Sequence, residues 1–184
     1  MHHWSRQAAI QALEHFGLSA SNLRLARYWL SMWNDNGAPV RAAIKPSQIK
    51  DNLPGIAIFQ CRPHESIHCR LAGSAIAMGL GMDVTGKDLV ALTPPEFRAA
   101  RLARTSRVAL GAVSRRKQQF RTRHGEYVMV EDIQLPLSDL AEDGSRQVLY
   151  HADWRPKSMD RTSAEIVDGL AIAEGVEFFE LAPI

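Results

Sequence analysis

Cysteine is scarce in this 184-residue chain: Cys61 and Cys69 are the only two. That is too few for the disulfide framework of a small extracellular domain, so a cytoplasmic setting is the expectation. No apolar run approaches the ~18 residues that a membrane-spanning helix needs. The opening residues Met1-His2-His3-Trp4-Ser5-Arg6 have no basic region followed by an apolar core, so neither membrane nor secretory signal is expected. No phosphate loop or nucleic-acid-reading module is recognisable, which removes nucleic acid from the expected partners. Acidic residues are absent from Phe97 to Gly125, where nine basic ones stand (Arg98, Arg101, Arg104, Arg107, Arg115, Arg116, Lys117, Arg121, Arg123). Removing these nine from the 22 basic residues leaves 13 against 20 acidic, so the remainder is net −7. A basic segment in an otherwise acidic molecule can attract an anionic partner.

What is present suits one well-cored domain with extensions: 46% apolar and 23% charged residues are the proportions of an ordinary globular chain. Residues 5–16 read as a helix with Ala8, Ile10, Ala12, Leu13 and Phe16 apolar and Gly17 as its stop. Ser19 or Ser21 then caps a second helix. There Leu23, Ala26, Leu30 and Trp33 share one face, and Leu25, Tyr28, Trp29 and Met32 form a second apolar strip beside it. Two strips exceed what one sheet edge covers, so Leu25, Tyr28, Trp29, Met32 and Trp33 are expected at a homodimer interface. Asn36-Gly37-Ala38-Pro39 ends this helix.

Leu53-Pro54-Gly55 turns the chain into an apolar strand, Ile56 to Cys61, and Arg62-Pro63-His64-Glu65 turns it back into a second, Ser66 to Gly73. A short Ala/Gly-rich helix (74–81) and a second short helical element (85–92) follow. Thr93-Pro94-Pro95-Glu96 starts a longer helix that runs to about Leu110, with Gly111 as its stop. Three strands are expected next: Ala112 to Arg123, Tyr127 to Leu137 and Arg146 to Trp154. In the middle one Tyr127, Met129, Glu131, Ile133, Leu135 and Leu137 share one face of the pleat. Phe178, Phe179 and Leu181 argue that residues 156–184 return to the domain as a short helix or an extra strand against the N-terminal helices.

With Leu53-Pro54-Gly55, Arg70-Leu71-Ala72-Gly73, Thr85-Gly86-Lys87-Asp88-Leu89 and Leu135-Pro136-Leu137 in this order, residues 23–155 resemble a PAS domain. More narrowly they resemble a single-domain bacterial PAS subfamily of long-unassigned function, in which a Tyr-Trp-rich helix such as Arg27-Tyr28-Trp29-Leu30 leads the domain. The resemblance implies an α+β fold: a five-stranded antiparallel sheet in the order 2-1-5-4-3, helices enclosing a cavity on one face, and an N-terminal helical extension at 1–22. It also implies sensing rather than turnover, with a small-molecule ligand, a signalling protein partner, or both. No cofactor is identified. Flavin photosensors of this fold use an Asn-Cys-Arg motif on a short helix, whereas both cysteines here read as strand residues. Haem sensors of the fold present a histidine from the long helix, and residues 95–110 contain none.

On that template the expected pocket residues are Phe59, Met78, Phe97, Met129, Glu131, Ile133 and Tyr150. Arg104, Arg107, Arg115 and Arg116 are the alternative: a site for a nucleotide or another anionic ligand, since guanidinium groups offer planar paired donors. Cys61, His64, His68 and Cys69 have the residue types of a zinc site, but a hairpin centred near residue 65 makes the cysteines strand core and splits the histidines between turn and strand, so no metal is expected. Glu131 among apolar neighbours, with His151 and Asp153, is the competing enzymatic constellation. With no nucleophile placed beside it, no catalytic residue is assigned.

Overall fold

The computed structural model describes residues 5–34, 37–122, 127–155 and 166–180. Two helices, α1 (Arg6–Phe16) and α2 (Ala20–Ser31), are followed by short 3-10 turns and a hairpin of β1 (Ile56–Arg62) and β2 (Ser66–Ala72). Helices α3 (Ser74–Leu80) and α4 (Pro95–Ala109) come next, then strands β3 (Ala112–Thr122), β4 (Tyr127–Leu140), β5 (Arg146–Arg155) and β6 (Ile166–Glu180). All neighbouring strands pair antiparallel, in the order β2-β1-β5-β4-β3-β6. The expected five-strand order is therefore present and gains a sixth strand on β3. That strand comes from the C-terminal segment and lies near α1. The expected turn at His124-Gly125-Glu126, Met1 to Trp4, Asn36, and residues 156–165 and 181–184 with Leu181 lie outside the described residues.

Local chemistry explains the helix ends. Ser5 and Ser19 accept backbone N–H groups of Ala8 and Asn22, each at 3.3 Å, and Gly17 stops α1 at φ 53°, a left-handed conformation that glycine adopts without a Cβ clash. Residues 85–92 do not form the short helix expected of them. They run as turns along the free edge of β2: Leu89 N–H donates to Ile67 O at 2.8 Å, and Cys69 N–H to Lys87 O at 3.0 Å. An exposed strand edge is thereby covered.

The sheet is covered on both faces, and alternation along the strands sorts the residues. On one face Ile56, Ile58, Val113, Ile133, Leu135, Leu137 and Leu149 pack against Ala12, Phe16, Leu25 and Trp29 of α1 and α2. On the other, Ala57, Phe59, Cys61 and Val148 pack against α3, α4 and the turn residues Val84 and Leu89. The inward face of α2 consists of Asn22, Leu25, Ala26, Trp29 and, just beyond the helix, Trp33, while Leu23 and Leu30 are half-buried. This corrects the interface expectation. Leu25 and Trp29 are wholly buried and Trp33 is 9% exposed within a single chain, so they seal the domain's own sheet and offer no surface to a second copy. Trp29 Nε1 donates to Pro136 O at 3.0 Å, and its ring meets Trp33 edge to face at 5.2 Å. Tyr28 and Met32 flank this seam half-buried.

Truncating the seam should cost accordingly. Trp29→Ala is expected to lower unfolding stability by about 3–5 kcal/mol, the range for removing a buried aromatic. Met32→Ala should cost less than half of that, and urea denaturation of the two variants checks the difference.

Candidate ligand-binding cavity

Between the sheet and the layer of α3, α4 and the 84–94 turns lies a cavity of about 270 Å³. Phe59 and Tyr150 form part of its sheet wall, their rings 5.0 Å apart, and Trp154 closes one side. Helix α3 can sit close to that wall because Gly79 faces the Trp154 indole, where any Cβ would overlap the ring. Leu80, Leu92 and Phe97, each about 40% exposed, stand at the mouth.

The apolar wall is interrupted by cations. Arg101, Arg104, Arg116 and Gln118 all reach the cavity, and no carboxylate lines it among the described residues. Behind them sits Asp132, with no exposure to solvent. Arg104 Nη2 lies 2.6 Å from Asp132 Oδ1; Arg116 Nε and Nη2 lie 2.8 Å from Oδ2; Gln118 Nε2 donates to Oδ2 at 3.1 Å. Arg104 Nε also donates to Ser114 Oγ at 3.0 Å. Burial alone would raise the Asp132 carboxyl, but Arg104 and Arg116 outweigh it and hold its pKa below the usual value. For Arg116 burial works against the charge, and Asp132 with Tyr150 overcomes it, so its pKa is raised. For Arg104 burial prevails over the single shared carboxylate, and its pKa is lowered. Arg101 is lowered too, by burial first and by neighbouring Arg116 next. Its Nη1 is spent on Leu89 O at 3.2 Å and Thr93 Oγ1 at 2.6 Å. Burial and Asp132 raise the phenol of Tyr150 on the same wall.

One residue along on each strand, the opposite face carries a second ion pair. Arg115 Nη2 lies 3.1 Å from Glu131 Oε2 and its Nη1 2.8 Å from Glu177 of β6. Glu131 Oε1 accepts Ser19 N–H at 2.7 Å and Asn22 Nδ2 at 2.9 Å, so this carboxylate holds the first turn of α2. Asn22 Oδ1 in turn lies 2.6 Å from Nδ1 of buried His151, whose Nε2 is 3.3 Å from Asn52 Nδ2. Nδ1 donates and Nε2 accepts in this arrangement, which is that of a neutral ring. Burial accordingly lowers the His151 pKa to about 4.

The expected residues divide between the two faces. Phe59, Phe97 and Tyr150 do line the cavity. Glu131 and Ile133 do not: odd positions of β4 face α1 and α2, and even positions such as Asp132 face the cavity. Met129 is 37% exposed and Met78, on the outer side of α3, 56% exposed; neither lines the cavity. The four arginines assigned to one anion site are also separated. Arg104 and Arg116 reach the cavity, Arg115 serves the other face, and Arg107 lies 4.2 Å over the Phe178 ring. Glu131 and His151 of the enzymatic constellation are joined through Asn22 in a buried network that docks α2. Cys61 and Cys69 are buried strand residues, Cys61 opposite Ile67 and Cys69 opposite Phe59, while His64 and His68 are exposed, so the four do not converge. Sequence reasoning missed Arg101, Gln118, Trp154 and above all Asp132. An aspartate inside the most apolar strand was the available signal, because only a paired charge survives there.

Fold and site together define a mixed α+β domain built on an antiparallel sheet, with a helix-roofed cavity on one face and N-terminal helices on the other. A family model described as PAS domain matches residues 18–148, and the chain belongs to the PAS domain family. Among solved structures it is similar to the PAS domain of an HTR-like protein from Haloarcula marismortui, at 14% identity and a TM-score of 0.36 over 59% of this chain and 90% of that one. No curated protein matches it. PAS domains in general are sensory and regulatory modules that do not carry out catalysis. Among the described residues no helix is long and apolar enough to cross a membrane.

Two measurements test this electrostatic layout. Asp132→Asn strips the shared counter-charge from Arg104 and Arg116 and should destabilise the fold by about 3–5 kcal/mol, the cost of breaking a buried pair from one side; chemical denaturation reads it. The folded pKa of His151, about 4, lies below the unfolded value of 6.5. The unfolded chain therefore binds the proton more readily. The stability in question is complete above about pH 6.5 and is lost as pH falls toward 4, on the order of 3 kcal/mol in all. Urea midpoints between pH 7.5 and 4.5 should show this slope in the native protein and a shallower one in His151→Gln.

Proposed function

We propose that this PAS domain is a sensory module whose cavity takes a small molecule and whose β3–β4 pair relays occupancy to α1 and α2. The observation that carries this is the back-to-back placement of two ion-pair systems on adjacent residues. Arg116 and Asp132 bound the cavity, and Arg115 and Glu131 hold the N-terminus of α2. A ligand that engages Arg104 or Arg116 competes with Asp132. Any adjustment of β3 or β4 that follows moves the groups on the far face, because successive residues of a strand share one backbone. Regulation is then ordinary linkage: a ligand preferring one arrangement of strands and α2 shifts the population toward it.

The output in this reading passes to a signalling protein in the cytoplasm, and no reaction is catalysed. A homodimer is part of it, but through a different surface from the buried tryptophans. Between α1 and α2 an outward groove is lined by Ile10, Leu13, Leu18, Leu23 and Leu30, with Glu14 and Arg27 at its rim. Apolar residues, all but buried Leu13 half-buried, between opposite charges suit a self-complementary contact.

Filling the cavity tests the sensory reading. Ala100 lines it from an exposed position on α4, so Ala100→Phe should block it without disturbing packing elsewhere. Native mass spectrometry should find a small molecule retained by the native protein and absent from the variant, and amide NMR shifts should extend to Ser19 and Asn22. A variant whose α2 resonances stay where they were would count against the relay. Leu23→Asp should convert a dimer to a monomer in the same spectra; an unchanged subunit number in the presence of a dimer would remove the groove from the interface.

A further inference from the structure

The chemistry of the cavity narrows its ligand. Three guanidinium groups reach it, and among the described residues one carboxylate, Asp132, neutralises them. On that carboxylate Oδ2 accepts from Arg116 and Gln118, and Oδ1 forms an ion pair with Arg104 Nη2. Two positive charges are thus left over in a site walled by Phe59, Leu89, Phe97, Tyr150 and Trp154. Among the described residues no carboxylate pairs with Arg101, whose Nη1 makes do with a backbone carbonyl and a hydroxyl. Arg104 is 5% exposed, and its Nη1 is buried without a hydrogen-bond partner. A buried guanidinium N–H left unpaired is costly; any acceptor relieves that cost, and an anionic one also offsets the excess positive charge through a stronger, charge-assisted bond.

Size and polarity limit the rest of the molecule. The cavity volume is about 270 Å³. It falls just under the ~300–1,000 Å³ typical of small-molecule pockets. A whole nucleotide would extend out through the mouth at Leu80, Leu92 and Phe97. Arg116 is already held by Asp132 through Nε and Nη2, which leaves Arg101 and Arg104 Nη1 to receive an anion.

Resting on the sensory reading above, we infer that the ligand is a small organic acid: a flat apolar body of the size of one aromatic ring seated against Phe59, Phe97 and Trp154, with one carboxylate received by Arg101 and Arg104 Nη1. Asp132 then acts as the resident counter-ion that keeps Arg104 and Arg116 in place when the cavity is empty and yields part of Arg104 when the acid arrives.

Phenylacetate and its uncharged isostere phenylacetamide separate the inference from the reading beneath it. Calorimetric titration of the full chain should show phenylacetate binding at least tenfold more tightly than the amide. NMR shifts should fall on Phe59, Phe97, the Trp154 indole and the Arg101 Nε–H. Arg101→Gln should erase the preference for the acid, and Arg101→Lys, which keeps the charge but not the paired donors, should retain part of it. If Arg101→Gln does not fold, the Lys variant alone carries the comparison. Equal binding of acid and amide at the cavity residues overturns the carboxylate inference and leaves the sensory cavity standing. Tighter binding of inorganic phosphate or adenosine monophosphate overturns it as well, in favour of a phosphate ligand. If no probe shifts the cavity residues and Ala100→Phe also leaves α2 unmoved, both fall.

Discussion

Two carboxylates on consecutive residues of one strand, Glu131 and Asp132, organise most of what is distinctive in this domain. Alternation sends them to opposite faces of the sheet, and each finds its arginine on the neighbouring strand, Arg115 for one and Arg116 for the other. Neither charge could be buried alone, since the desolvation of an unpaired ion exceeds any packing gain. The β3–β4 register, which sets Arg116 opposite Asp132, is thereby tied to electrostatics as well as to apolar pattern.

Around that axis the two faces do different work. The N-terminal face is closed by Trp29, Trp33 and Leu25 and is fastened by polar contacts at the start of α2, where Glu131, Asn22, His151 and Asn52 connect in sequence. Such a network is directional, so it fixes the rotation of α2 where apolar packing alone would tolerate several. The opposite face keeps a hollow instead of a closed core. Arg101, Arg104 and Arg116 line it together with Phe59 and Tyr150, so charge on one side and apolar wall on the other make the hollow amphipathic.

Much of this was legible along the chain. Strand positions, the hairpin at Arg62–Ser66, the capping serines and the stop at Gly17 follow from local rules acting on adjacent residues, and the PAS-like order of short motifs placed the sheet. The same-face grouping of Met129, Glu131, Ile133, Leu135 and Leu137 was legible as well, because a pleat has a fixed period. Which face that group occupies was not. Parity separates two sets of residues and cannot say which set meets the helices that lead the chain and which meets the helices inserted in its middle. Glu131 and Ile133 were therefore expected in the cavity and lie behind it. The inward face of α2 draws on both strips for the same reason: Ala26 and Trp33 of one and Leu25 and Trp29 of the other turn inward where Asn22 reaches Glu131, a partner 109 residues away.

By itself the sequence determined most strand and helix positions, the hairpin near residue 65 and a basic run without acidic residues, since each of these rests on periodicity, turn chemistry or composition; the order of the sheet came with the PAS resemblance. Only the tertiary structure decided which arginines are neutralised and which remain, because pairing depends on distances of a few ångströms between Asp132, Arg104 and Arg116 across separate elements. Coulomb interactions in a buried site depend on position in space, and spacing along a chain carries no record of it.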